Sequence, residues 1–173
     1  MPPDVTAEIH GYSHPEATPT PGQVGRELVI AADIFWLSTV RPDGRPHVTP
    51  LIAVWYADAI RFTTGAEERK AKNLAHNPAC VLTTGRNDLV EESLDVVLEG
   101  TAEQATDDAV LWAIAEAFAA KYGTGTWDFV VRDGAFSQRD LGGRALVFRV
   151  RPVRGLGFGK GGRFSRTTWT FPS

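Results

Sequence analysis

Short apolar and β-branched runs, separated by breaks rich in Gly, Pro and Asp, recur along the chain and predict antiparallel strands joined by tight turns. The first run is IFWLSTV (34–40), entered from a short helical stretch around Leu28, Val29 and Ile30. Pro42-Asp43-Gly44 follows, and there the chain should reverse: proline presets φ, aspartate bonds to the local backbone, and Gly44 accepts positive φ. PHVTPLIAVWY (46–56) then pairs back on the first strand, and Ala57-Asp58 turns it into AIRFTT (59–64). Pro50 falls inside the second strand with no amide to give a ladder, so that point must be an edge, a bulge, or a place where something other than a strand lies alongside. GAEERKAKNLAHNP (65–78) changes to helical chemistry, with Ala71, Leu74 and Ala75 on one side and Pro78 ending it. ACVLTTG (79–85) is the next strand, RNDLVEES (86–93) a polar turn, and LDVVLEGTAEQA (94–105) a longer strand whose Gly100 marks a bulge or close approach.

The clearest helix covers 107–122, where Val110, Ile114, Phe118 and Tyr122 recur every four residues with Leu111 and Ala115 beside them. Thr106 and Asp107 can cap its start, Gly123 lies just past its end, and Trp112 falls off the stripe. Residues 124–143 show no sustained period and read as a long loop, a length often associated with functional lids. RALVFRV (144–150) is the last clear strand, and a basic, glycine-rich segment (151–171) follows. Residues 1–22 contain Pro2, Pro3, Pro15, Pro19 and Pro21 and few large apolar side chains, so we expect a disordered tail there and a single domain over 23–173. Five to seven strands with only two helices of any length predict a mainly β, closed or nearly closed antiparallel barrel and disfavour a parallel α/β sheet.

Composition agrees with one globular domain: of the 173 residues 43% are apolar and 23% charged, with one cysteine, Cys80. A single cysteine allows no intramolecular disulfide and no thiolate cluster, which points to a reducing compartment. The N-terminal residues lack the apolar core of a signal peptide, and no uncharged apolar run is long enough to span a membrane; a cytoplasmic protein with no membrane partner is expected. The net charge of −3 argues against a nucleic-acid partner, which would need a basic face. The charge is uneven, because the segment from Arg139 to the end carries eight basic residues against one acid, Asp140. Solvent-facing strand positions account for this, and so does a local site for an anionic small molecule.

Few motifs carry chemistry. Gly157-Phe-Gly-Lys-Gly-Gly162 matches G-x-G-x-x-G, but with eleven residues left no βαβ unit can follow, and Gly161 stands where a P-loop needs Ser or Thr. The histidines His10, His14, His47 and His76 have no metal-ligand spacing, so no metal site is expected, and Cys80 opens an apolar strand with no adjacent base. What stands out is Thr63, Thr64, Gly65, Arg69, Lys70, Lys72 and Asn73: two hydroxyls end a strand and a basic cluster opens the helix after it. Helix-start amides with Arg and Lys donors suit a phosphate; a solvated helix face, with Glu67 and Glu68 answering the positive charges, suits the same residues.

FWLSTVRPDGRPHVTPL, RFTTGAEERKAKNLAHNP and VVLEGTAE, in that order and spacing, resemble the pyridoxamine 5′-phosphate oxidase-like, FMN-binding split-barrel proteins over about residues 24–171. The branch most resembled is the actinobacterial flavin/deazaflavin oxidoreductases, whose members end in a segment like Ser165-Arg-Thr-Thr-Trp-Thr-Phe171. The resemblance implies a six- to seven-stranded antiparallel split barrel that forms a homodimer with cofactor at the subunit interface. It places the isoalloxazine edge along Val48, Thr49, Pro50 and Leu51, and the phosphate side at Thr63, Thr64, Arg69 and Lys70. Lys160, Arg166 and Trp169 would come from the partner subunit, Trp169 covering one side of the ring. Authentic pyridoxamine 5′-phosphate oxidases carry Arg where Val48 stands and end in an Arg-Leu-x-Pro segment absent here, which argues against vitamin-B6 oxidation and weakens FMN relative to the deazaflavin coenzyme F-420. The implied function is an FMN- or F-420-dependent oxidoreductase moving hydride to or from a small organic substrate, with a non-catalytic carrier of a flavin or planar ligand as the alternative. A barrel that only mediates subunit contacts is a third reading, and no catalytic residue is identified.

Overall fold

The computed structural model describes residues 5–85, 93–125 and 127–172. In chain order its elements are β1 (Thr6–Ile9), α1 (Gly22–Ala31), β2 (Phe35–Val40), β3 (Pro46–Leu51), β4 (Ala53–Tyr56), β5 (Ala59–Gly65), α2 (Arg69–His76), β6 (Ala79–Thr83), β7 (Leu94–Ala105), α3 (Asp108–Tyr122), β8 (Phe129–Arg132), β9 (Ala135–Gln138), β10 (Gly142–Gly159) and β11 (Ser165–Thr170). Every strand pairing is antiparallel. The main order is β1-β11-β10-β7-β6-β2-β3, with β5 and β9 also paired to β10, β4 to β5, and β8 to β9.

The 18-residue β10 organises this arrangement. Residues 147–159 run beside β7, while the other edge pairs with β5 over 145–150 and with β11 over 154–159. The change of partner coincides with Pro152, whose missing amide interrupts the ladder, and the register against β7 shifts between Pro152 and Arg154. Opposite Pro152 lies Gly100, where an added Cβ would stand 2.5 Å from the Arg151 carbonyl oxygen, the close approach expected of that glycine. The inward faces of the strands meet in one core that includes Phe35, Leu37, Phe62, Leu82, Leu98 and Val150.

Trp169 closes the end of that core. It is 0% exposed, its Nε1 donates to the Thr20 carbonyl at 2.8 Å, and its ring lies against Gly25 of α1 and Gly155 and Gly157 of β10. A second core lies under α3, where Leu111, Ile114, Ala115 and Phe118 meet Val54, Val147, Phe129 and Phe136. Asp107 caps α3 by accepting from the Val110 amide, as the sequence suggested. The buried line runs through Leu111 rather than Val110, which is among the exposed apolar residues, and Trp112 is exposed off the stripe. None of the helices among the described residues is long and apolar enough to cross a membrane.

Four sequence expectations need correction. The described part of the expected tail is not disordered: β1 pairs with β11, and Val5 and Ala7 pack on the core, so backbone pairing supplies what apolar composition lacks. The strand over 46–56 divides at Ile52, because β3 pairs with β2 whereas β4 pairs with β5. Residues 129–138 within the expected loop form the β8–β9 hairpin, turning at Asp133 (φ 50°) and Gly134 (φ 67°), a two-residue turn whose positive φ angles suit Asp-Gly. With β1, β4, β8, β9 and β11 added, the described residues hold eleven strands rather than six or seven. The turn expected over 86–93 lies outside the described residues except for Ser93.

Because an added Cβ at Gly157 would stand 2.6 Å from Cη2 of Trp169, Gly157→Ala must displace a fully enclosed indole. A loss of about 1–3 kcal/mol in urea unfolding is expected. Gly125→Ala, with nothing within 4 Å of its Cβ, should change stability by less than about 0.5 kcal/mol.

Candidate functional site

The basic cluster singled out in the sequence sits at the start of α2, and its inner face is polar. Lys70 is only 9% exposed and Asn73 is fully buried, an arrangement that a solvated helix face would not produce. Glu68, at the N-cap, makes no capping bond with its side chain; its carboxylate instead accepts from the Gly65 amide at 3.2 Å and bonds Lys70 Nζ. Burial would raise the Glu68 carboxyl, but Lys70, the Gly65 amide and the Thr64 hydroxyl together hold it below its ordinary value. Asn73 Nδ2 donates to Thr39 Oγ1 at 2.9 Å, which lies 3.4 Å from His47 Nδ1, so α2, β2 and β3 are tied by one polar chain.

Around that chain the charge is positive. Burial, followed by the charges of Arg41, Lys70 and Arg69, pulls the His47 imidazole below its ordinary value. Arg41 Nε and Asn73 Oδ1 are enclosed without a hydrogen-bond partner among the described residues. Three cations, one of them with an unpartnered guanidinium nitrogen, and the amide end of a helix thus lie beside β3, with Glu68 as the carboxylate bonded to Lys70. These are the donor types that bind a phosphate. Arg41 was not singled out in the sequence, where Arg41-Pro42-Asp43-Gly44 reads as turn chemistry alone.

Of the other anticipated residues, Val48, Thr49, Pro50 and Leu51 lie on β3, which ends the sheet order and pairs only with β2 among the described residues. Pro50 therefore occupies an edge, one of the settings its missing amide allows. Thr63 and Thr64 line a cavity of about 270 Å³ together with Glu68, Trp127, Phe129 and Phe136. Their hydroxyls do not stand free to donate: Thr63 Oγ1 donates to the Leu146 carbonyl at 3.1 Å, and Thr64 Oγ1 lies 3.4 Å from the Gly65 carbonyl. The β8–β9 hairpin forms the far wall of this cavity, and Asp133-Gly134 between the short apolar runs Phe129-Val130-Val131 and Ala135-Phe136 was the signal that could have revealed it.

The C-terminal residues lie elsewhere in the chain. Lys160 bonds Asp95 and lines a groove with Trp36, Val97 and Phe158; Arg166 stacks over Phe158 at 5.8 Å and Tyr12 at 6.0 Å. The expectation that Trp169 covers a cofactor ring is overturned, because the indole is completely enclosed by its own chain. Cys80 is buried, which pushes its thiol up to about 12 and leaves it unreactive.

With this geometry in place, the family model described as pyridoxamine 5′-phosphate oxidase matches residues 23–157. The chain belongs to the pyridoxamine 5′-phosphate oxidase family. Its fold is the antiparallel split barrel of that family, in which the described residues include eleven strands. Among solved structures, a candidate 5-nitroimidazole antibiotic resistance protein from Bacteroides thetaiotaomicron is 16% identical, with TM-score 0.64 over 96% of this chain and 90% of that one. A heme binding protein from Mycobacterium smegmatis is 20% identical, with TM-score 0.67 over 88% of this chain and 59% of that one. A conserved hypothetical protein from Mycobacterium tuberculosis is 19% identical, with TM-score 0.67 over 86% and 89% of the two chains. These likenesses show the shared fold alone. No curated protein matches the sequence.

The donor set of this family member fits the phosphate end of a cofactor, on the unpartnered Arg41 nitrogen and the buried Lys70; it does not supply an indole lid from Trp169. The folded His47 titrates below its ordinary value of 6.5, so the unfolded chain takes up a proton that the folded chain refuses, and stability falls as pH drops through that range. In an NMR titration inorganic phosphate is expected to raise the His47 pKa by offsetting the three cations. A His47 that titrates at its ordinary value and ignores phosphate would contradict this charge arrangement.

Proposed function

We propose that this protein is a homodimeric flavin- or deazaflavin-dependent oxidoreductase that transfers hydride between FMN, or alternatively coenzyme F-420, and a small organic substrate. The observation that carries the reading is the buried Lys70, flanked by Arg41 and Arg69 at the start of α2 with a single carboxylate bonded to it. Glu68 answers Lys70 alone, which leaves the charges of Arg69 and Arg41 and the unpartnered Arg41 nitrogen, and the phosphate of a flavin-type cofactor is the partner the family membership suggests for them.

When bound, the flavin or deazaflavin supplies the hydride chemistry. The chain's own residues hold and orient it. Lys70 and Arg69 anchor the phosphate, Arg41 adds the guanidinium nitrogen that has no partner, and Val48–Leu51 offer the free edge of β3 to the ring. The cavity between β5 and the β8–β9 hairpin, walled by Trp127, Phe129 and Phe136, is the place for an organic substrate. A homodimer is supported by the outward face of the sheet, where Trp36, Val48 and Val153 are exposed and an apolar trough runs past Val40, Pro46 and Val81. In such a dimer Lys160 and Arg166 would reach the cofactor from the partner copy, whereas Trp169 would serve only to hold β11, which carries Arg166, in place.

Lys70→Ala is expected to weaken binding of FMN or coenzyme F-420 by about 1.5–3 kcal/mol in an equilibrium titration. Lys72→Ala, on the exposed side of the same helix and paired with Glu67 at 2.9 Å, should leave it unchanged. Equal affinities for wild type and Lys70→Ala would remove the anchor, and cofactor that binds but exchanges no hydride with any donor would favour the carrier reading.

A further inference from the structure

Away from α2, β5 buries a second cation. Arg61 is 5% exposed, its Nε is enclosed without a hydrogen-bond partner, and no hydrogen bond or ion pair among the described residues involves its guanidinium. Its nearest ring is Tyr56, whose centroid lies 6.0 Å from Cζ. Across the sheet Arg61 stands opposite Arg149 of β10, and Arg149 stands opposite Glu103 of β7. Arg61 also faces Val54 of β4, which belongs to the core under α3, so this row of residues lies on the α3 side of the sheet.

Glu103 answers Arg61 only in part, because its carboxylate is bonded to Arg149 and acts on Arg61 from there. Arg151, two residues along β10 and therefore on the same face, brings a third guanidinium. Burial, then the repulsion of Arg149 and Arg151, pushes the Arg61 guanidinium down to about 10. Three guanidiniums against one carboxylate leave a local surplus of positive charge around a side chain that water scarcely reaches. A purely packing role would be served better by an apolar side chain of the same length, which would need no partner for its buried end.

The structure assigns to Arg61, Arg149 and Arg151 an oxyanion site, separate from the α2 cluster, that takes the phosphate or carboxylate group of a small molecule. A guanidinium presents donors in a planar fork that matches two oxygens of such a group, a geometry that a spherical chloride does not exploit. Tyr56 forms one wall through its contact with Arg61, and Arg151, which is exposed, marks the solvent side.

The test is the Nε–Hε resonance of Arg61 in the full chain, followed by NMR during titration with inorganic phosphate and, in parallel, with sodium chloride at matched ionic strength. Phosphate should shift this resonance saturably and well beyond chloride. In Lys70→Ala, which weakens the α2 site, the shift should persist; in Arg61→Met, phosphate affinity at this second site should fall by about tenfold or more while His47 still responds. Phosphate should likewise raise the melting temperature of wild type more than that of Arg61→Met. A resonance that moves no further with phosphate than with chloride overturns the proposal, as does an Arg61→Met protein that binds the same number of phosphates as wild type. The wild-type resonance decides the matter even if Arg61→Met does not fold, and loss of the α2 response alone leaves this site standing.

Discussion

One strand has to serve four neighbours. β10 pairs with β5, β7, β9 and β11, and it can do so only because its pairing edge changes partner at Pro152, where no amide is available to continue the ladder. The bend is accommodated opposite by Gly100, whose missing side chain admits the Arg151 carbonyl. Beyond the bend, Gly155 and Gly157 leave room for the Trp169 indole, which seals the core and accepts α1 through Gly25. Before the bend, residues 145–150 carry β5, and β5 leads directly into α2. The position of the basic cluster thus follows from where β10 changes partner.

Two buried cations descend from that arrangement. β5 delivers Arg61 to the α3 side of the sheet and, four residues beyond its end, starts the helix that buries Lys70. Lys70 has a carboxylate in Glu68, yet Arg41 and Arg69 keep the surroundings positive, and with burial they lower the His47 imidazole. Arg61 has no hydrogen-bond or ion-pair partner among the described residues and meets only the Tyr56 ring. Buried polar groups are normally paired; of the four guanidinium nitrogens enclosed without a partner among the described residues, on Arg26, Arg41, Arg61 and Arg166, those of Arg41 and Arg61 lie among further cations, the setting that an anion would complete. Membership of a family whose fold hosts flavin chemistry gives the first of these anions a natural identity, while the second rests on this chain's own geometry.

Local chemistry made much of the fold legible. Pro42-Asp43-Gly44 turns as its residues require, with Gly44 at φ 82°, and the strand over 94–105 and the helix ending at Tyr122 coincide with their apolar patterns. What the pattern could not convey was pairing between distant segments. β1 has almost no apolar signal because its stability comes from β11, and Ile52 divides a continuous apolar run because two different neighbours claim its halves. Asp133-Gly134 was a readable hairpin signal obscured by surrounding Gly and Arg residues. At the site, Arg69 and Lys70 were legible as a basic helix start, and the structure adds Arg41, Thr39 and His47 from neighbouring strands. The family resemblance suggested Trp169 as a cover for the cofactor ring, whereas three glycines from two distant elements make it core.

The central claim is that the cluster of cations beside β3 holds the phosphate end of a flavin-type cofactor. Its most direct test is the visible absorption spectrum of the purified protein, recorded as isolated and during separate titrations with FMN and with coenzyme F-420. The account predicts saturable binding of one of the two at one equivalent per chain, with its visible band displaced from that of the free compound: two bands for the flavin or a single band for the deazaflavin. Spectra of both compounds that stay those of the free molecules at every protein concentration would contradict it.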